Sequence, residues 1–221
     1  MELMEIYELL LERFGEQEWW PMKRGFGPKE FEVCVGAILT QNTNWNNVEK
    51  SLKKMKEEKL TDVKAINKIN PKKLEVVIRS SGFYKQKAKR LKEFAKISAR
   101  KNFYRNITRE ELLKINGIGT ETADSILLYA CDKPFFVVDA YTRRIFSRLG
   151  LIDEAMKYDE IRRFFEGNLP RDVDVYKEFH ALIVELAKKH CKAKPSCEEC
   201  LLREDCEYYG EHEDEEHLDN F

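Results

Sequence analysis

The chain lacks what would carry it into a membrane or build a sheet. None of its apolar runs approaches the roughly 20 residues that span a bilayer, so no membrane contact is expected. No segment alternates apolar and polar residues between turn signals, and no strand is predicted. Val137-Val138 is extended at most, and too short to build a sheet. There is no internal repeat of solenoid period and no low-complexity linker. An excess of one charge is lacking too. Lys and Arg number 39 against 40 Asp and Glu, a net charge of −1. Glutamine is sparse while Lys and Glu abound, a balance that points to a thermophilic source. The opening residues, MELMEIYELLLERF, are acidic and amphipathic, unlike a secretion signal, so an intracellular (cytoplasmic) protein is expected.

What is present is a helical chain. Its 221 residues allow one large domain or two small ones, and 43% hydrophobic residues suffice for a packed core. Apolar spacing predicts helices over 2–14, 29–40, 45–58, 61–70, 71–80, 85–101, 140–149, 157–167 and 174–190. Thr108 and Glu111 form a capping box before a further short helix. The predicted class is all-α. Overall balance hides local charge. Residues 79–105 are rich in Lys and Arg, with Glu93 their single acid, which predicts a basic face. Residues 211–219, EHEDEEHLD, are expected to form a solvated, disordered tail.

Four of the six cysteines crowd near the end as C-x5-C-x2-C-x5-C: Cys191, Cys197, Cys200 and Cys206. Without a secretion signal, disulfides are not expected. Four thiolates within 16 residues suit a tetrahedral zinc or a cubane iron–sulfur cluster, and spacing alone does not separate them. Cys34 and Cys131 lie in apolar helical contexts and read as core.

The central stretch is 112–139, LLKINGIGTETADSILLYACDKPFFVVD. A short helix breaks at Gly117-Ile118-Gly119, and a second follows with Ala123, Ile126, Leu127 and Ala130 at helical spacing. Such a turn can aim backbone N–H groups outward at a helix start, which suits phosphate. An ordinary helix–turn–helix bend fits these residues equally well. Asp139 precedes the next helix and reads as an N-cap, a role that does not exclude a catalytic one.

The hairpin, an Asp some twenty residues on and the four cysteines, in this order, resemble the helix-hairpin-helix DNA glycosylases of the endonuclease III type, over about residues 2–208. The first cysteine gap holds five residues where the best-known pattern has six. The resemblance implies a [4Fe–4S] cluster on the four cysteines, with zinc second. Bifunctional members carry a lysine two residues after the second hairpin glycine. Glu121 stands there, and a carboxylate cannot form an imine. Trp19-Trp20-Pro21, LTQNTNW at 39–45, SGFYKQKAKRL at 81–91, GIGTETADSILLYAC at 117–131 and VVDAYTRR at 137–144 are similar to the 3-methyladenine DNA glycosylases of the superfamily. That branch does not always carry the cluster.

This resemblance implies monofunctional excision of alkylated purines from double-stranded DNA by a monomer, nucleoid-associated when acting. The chemistry is coherent. Methylation at adenine N3 or guanine N7 makes the base a cation, and its glycosidic bond is already weakened. Aromatic faces attract such a base, and a carboxylate stabilises the oxocarbenium sugar or activates water. Asp139 is the expected catalytic residue. Trp20, Pro21, Trp45 and Glu121 are expected at the base pocket, with Trp19 as packing. Gln41 would fill the gap left by the flipped base and Phe83 wedge the opposite strand. The N–H groups of Gly117, Ile118 and Gly119 would hold phosphate, directly or through a bound alkali cation. Lys85, Lys87, Lys89, Arg90, Lys192, Lys194 and Arg203 would add charge. The implied architecture is a helical barrel, 23–133, and a cluster domain, 1–22 with 134–209, flanking a DNA-binding cleft with Glu121 and Asp139 on opposite walls. Residues 210–221 are the acidic tail. Two alternatives remain: a glycosylase for oxidised or mismatched pyrimidines, whose neutral bases need hydrogen bonds more than aromatic faces, and a non-catalytic DNA-binding module.

Overall fold

The computed structural model describes residues 1–17, 19–20 and 26–218, the last six by backbone alone. Among these the secondary structure is helical throughout, with no strand. The chain forms two compact units. One is Trp20–Lys133 and the other joins Met1–Trp19 to Pro134–Phe221.

The unit Trp20–Lys133 is built around α2 (Lys29–Leu39), which is buried from Phe31 to Leu39. A helix apolar on every side has to sit inside its unit. Three successive helices of this unit begin at a residue whose side chain caps them. Asn44 caps α3 (Trp45–Glu57) by accepting from the Asn47 N–H at 3.1 Å. Asp62 caps α4 (Val63–Lys68), accepting from the Ala65 N–H at 2.8 Å. Asn70 caps α5 (Pro71–Val77), whose first residue is a proline with no N–H to satisfy. The basic helix is α6 (Tyr84–Ser98), followed by the single turn α7 (Phe103–Asn106). Then come the hairpin helices α8 (Arg109–Leu113) and α9 (Thr120–Ser125). The predicted Thr108–Glu111 capping box is present. Beyond Ser125 the helix widens to a π turn over Ile126–Ala130, all buried, which packs on α2.

The other unit packs α1 (Leu3–Phe14) against α12 (Val173–Lys189), with α10 (Ala140–Arg148) and α11 (Tyr158–Asn168) around them. Leu3, Ile6 and Leu10 form the buried stripe of α1. Its centre is aromatic. Phe136 stacks on Phe165 at 4.3 Å, and Phe146 meets the same ring edge-on at 4.7 Å. Such pairs contribute about 0.5–1.5 kcal/mol each beyond the area they bury.

The acidic tail departs from expectation. Residues 211–218 are not disordered but continue α13 (Glu207–Leu218). Glutamates are good helix formers, and Glu207 sits favourably in the first turn. Tyr208 anchors that turn, under the Arg148 guanidinium at 4.5 Å and stacked on His212 at 4.1 Å. Residue 219 lies outside the described residues. No described helix is long and apolar enough to cross a membrane.

Candidate active site

Asp139 ends the extended segment after the hairpin unit and caps α10. Its Oδ1 accepts from the Thr142 N–H at 2.7 Å and the Thr142 hydroxyl at 2.9 Å. Its Oδ2 lies 3.6 Å from His180 Nε2, and the two side chains are only 16% and 8% exposed. Burial works against the carboxylate. The His180 contact and the Thr142 donors outweigh it and hold the acid below its ordinary range. One carboxylate oxygen is thus committed to the cap, and the other faces a histidine. Sequence reasoning missed His180. Its only signal is a polar residue inside the apolar run FHALIVELA.

In the other unit Trp20 and Trp45 meet edge-to-face at 5.3 Å, and Trp20 lies 5.2 Å from the Tyr129 ring. Gly36 makes the pair possible. A Cβ there would stand 3.1 Å from Trp20 and 3.3 Å from Trp45. Trp45 Nε1 is buried with no hydrogen-bond partner among the described residues. Pro21 lies outside the described residues. Glu121 is exposed in the first turn of α9. Trp19 belongs to the other unit, where Lys188 Nζ sits 5.4 Å over its ring, as befits packing.

The hairpin is held by a bidentate ion pair. Arg109 of α8 reaches Asp124 of α9 at 2.6 and 3.1 Å, and the Asp124 side chain is fully buried. Gly117 has φ +85° and no room for a side chain, since a Cβ would lie 1.9 Å from Arg90 Nε. Gly119 opens α9 with open space beside it. The expectation of three phosphate-facing N–H groups needs correction. Ile118 donates its N–H to the Ile115 carbonyl at 3.0 Å, closing the turn, while its side chain is buried. No described backbone carbonyl takes the N–H of Gly117 or Gly119.

Gln41 does not hang free. Its amide nitrogen donates to the Gly117 carbonyl at 3.0 Å and the Thr122 hydroxyl at 2.9 Å, and its oxygen accepts from Arg90 at 2.5 Å. Phe83 is 62% exposed, with φ +42°, a left-handed conformation that is costly for a bulky residue. It is therefore a presented ring, not one tucked beneath Tyr84. Of the basic residues, Lys85 and Lys89 are exposed. Lys87 is not. It is completely buried, donating to the Leu39 and Ser81 carbonyls at 2.8 and 2.6 Å. Burial, then the neighbouring Arg90 charge, lowers its pKa to about 8. Its expected contact with phosphate is incompatible with that burial. Lys92 caps α4 in the same manner, donating to the Ile66, Asn67 and Ile69 carbonyls.

The four terminal cysteines share one electrostatic neighbourhood. Burial pushes the Cys200 thiol up, and Cys191, Cys197 and Cys206 push it further. Arg148 donates to Cys191 Sγ at 3.2 Å, and Arg144 holds the Cys191 carbonyl at 2.6 and 2.9 Å. Among the described residues no three His, Cys, Asp or Glu side chains converge as ligands for one metal ion. Burial also raises the Cys34 and Cys131 thiols; Cys34 is a core residue, whereas Cys131 is half-buried.

A family model for the HhH-GPD superfamily base excision DNA repair protein matches residues 35–171, from inside α2 to beyond α11. The chain belongs to that superfamily. A Methanocaldococcus jannaschii relative, provisionally named a DNA repair glycosylase, is 50% identical over 92% of this chain and 95% of its own. Thermotoga maritima endonuclease III is 35% identical over 81% and 83%. Among solved structures, the H. pylori 3-methyladenine DNA glycosylase bound to 1,N6-ethenoadenine superposes with a TM-score of 0.73. It is 35% identical and covers 85% of this chain and 98% of its own. As a base-excision repair DNA glycosylase of the HhH-GPD superfamily, the protein has the all-helical fold its sequence predicted.

Proposed function

We propose that this HhH-GPD glycosylase is monofunctional and hydrolyses the N-glycosidic bond of alkylated purines such as 3-methyladenine in double-stranded DNA. The observation that carries this reading is the Trp20–Trp45 pair seated on Gly36 beside Tyr129. Clustered aromatic rings favour a flat cation by about 0.5–2 kcal/mol per good contact. Asp139, ionised and fixed by Thr142, supplies negative charge for the oxocarbenium-like sugar and a base for water. Glu121 replaces the amine that a lyase would need. Phe83, exposed and rigidly presented, is the wedge. The open side of Gly119 lets a phosphate approach the hairpin backbone, directly or through an alkali cation. Similarity to the H. pylori enzyme supports the alkylpurine substrate.

Cys191, Cys197, Cys200 and Cys206 would hold a [4Fe–4S] cluster, for which an all-thiol donor set is the right chemistry. Iron would relieve the mutual repulsion of the four sulfurs, and Arg144 and Arg148 of α10 bond the Cys191 carbonyl and sulfur. The cluster would fold and charge this loop.

A second reading, excision of oxidised or mismatched pyrimidines, is favoured by the identity to Thermotoga maritima endonuclease III. A base-release assay across lesion duplexes decides. Release of 3-methyladenine with the abasic site left uncut is the expected result. Release of oxidised pyrimidines alone, or a borohydride-trapped covalent complex, overturns the proposal. Binding with no release on any lesion leaves the docking module as the answer.

A further inference from the structure

The basic helix α6 places Phe83, Lys87 and Arg90 on one stripe, at its N-cap and one and two turns along. The three side chains have different fates. Phe83 is exposed. Lys87 is buried, bonded to carbonyls from two separate segments. Leu39 ends α2 just before the Gln41 turn, and Ser81 lies just before Gly82-Phe83. Arg90 bonds the Gln41 side chain, and its guanidinium lies where a Cβ on Gly117 would go. One helix face therefore touches the Gln41 turn, the Phe83 turn and the glycine hairpin, all within one unit. The Phe83 turn is held further from below. The Ser81 hydroxyl donates to the Ile78 carbonyl at 2.8 Å, and Ser51 and Ser80 hydroxyls meet at 2.8 Å.

We propose that Lys87 and Arg90 are positioning residues, an internal pair of cations that sets the Gln41 turn, the Phe83 turn and the hairpin in register for base extrusion, rather than phosphate ligands. This deepens the proposed function and rests on it only for the word extrusion; the clamp itself is a property of the free protein. The chemistry favours a cation in this place. An ammonium has three donors and no acceptor, so it can bind carbonyls from both segments at once. Carbonyls at a helix C-terminus also carry partial negative charge, which a cation complements. Misplacing a reacting or inserting group by about 1 Å can cost roughly a hundredfold in rate, so a buried tie between these segments controls turnover.

The test compares Lys87→Met, Arg90→Met and the exposed Lys89→Ala in the full-length protein. Hydrogen exchange on the free proteins comes first. Lys87→Met should speed exchange over both 39–44 and 81–84, and Arg90→Met over 41–44 and 115–119, whereas Lys89→Ala should change neither. Single-turnover base release from methylated duplex at saturating enzyme should then slow about ten- to a hundredfold in both clamp variants. Their salt dependence of binding should stay as in the wild type. Lys89→Ala should instead weaken the salt slope by about one unit. The proposal is overturned if exchange in the clamp variants is unchanged, or if either lowers the salt slope by about one with full excision at saturation. Should Lys87→Met not fold, Arg90→Met carries both readouts. A wild type inactive on methylated duplex sinks the substrate reading, and exchange alone then decides the clamp.

Discussion

In each unit of the protein a buried charge lies beside residues proposed to act on DNA, Asp139 in one and Lys87 in the other, and the two are treated in opposite ways. Asp139 is held by donors: the Thr142 N–H and hydroxyl, with His180 beyond. Lys87 is held by acceptors, two backbone carbonyls, with the Arg90 cation nearby. The carboxylate gains more than its burial costs, so it stays ionised below the usual range. The lysine does not, and its pKa falls to about 8. One site keeps its charge on a carboxylate proposed for chemistry. The other spends a charge on architecture.

The sharpest way to break this comparison is Asp139→Asn. Asparagine is as good an N-cap as aspartate, so folding and DNA binding should be nearly intact while excision falls roughly a thousandfold, the loss expected when a preorganised charge is removed from a transition state. Single-turnover base release beside a thermal melt makes the measurement. Normal turnover by the variant would remove Asp139 from the chemistry. The variant should also match wild-type stability more closely as the pH falls. A depressed carboxylate stabilises the fold above its unfolded pKa of about 3.9, and that contribution is lost as pH falls through the lower folded value.

Asp139 was legible because an N-cap signal is local: an acid stands directly before a new amphipathic helix. The same holds for the Thr108–Glu111 box, the α5 start at Asn70-Pro71 and the helices generally, whose spacing is written in consecutive residues. Lys87 was not legible. Its neighbours, Lys85 and Lys89, are exposed and of the same type, and its bonds to the Leu39 carbonyl, 48 residues away in sequence, and to the Ser81 carbonyl separate it from them. Gln41 and Arg90 hide for the same reason, and so does His180 beside Asp139. The hairpin glycines were legible as a pair but not as individuals. That Ile118 spends its N–H on Ile115 follows from turn geometry, not from the GxG pattern.

A second effect, on stability, comes from the hairpin. Asp124→Ala leaves Arg109 without its buried partner and should cost about 3–5 kcal/mol, seen as a drop in denaturation midpoint with an unchanged slope. A loss under about 1 kcal/mol would mean that the pair is solvated and does not hold the two helices.

Lys87 gives a smaller effect with a distinct sign. Its folded pKa lies below the unfolded value of about 10.4, so between about pH 8 and 10.4 the unfolded chain binds more protons and stability rises with pH. Lys87→Met lacks this gain. The difference in unfolding free energy between wild type and variant should therefore widen by on the order of 3 kcal/mol across that window. A constant difference would show that Lys87 titrates normally.

The smallest effects come from the two hairpin glycines, which look alike in sequence and differ in surroundings. Gly117→Ala puts a methyl group where Arg90 sits and strains a φ of +85°, so it should lower stability by more than about 1 kcal/mol and disturb the Gln41 turn with it. Gly119→Ala meets no protein atom and keeps an extended backbone, so unfolding should shift by less than about 0.5 kcal/mol. If a phosphate approaches from that open side, Gly119→Ala should nonetheless weaken binding to undamaged duplex, because the methyl takes the space the phosphate would use. Equal affinity in both proteins would rule out a phosphate approaching beside Gly119.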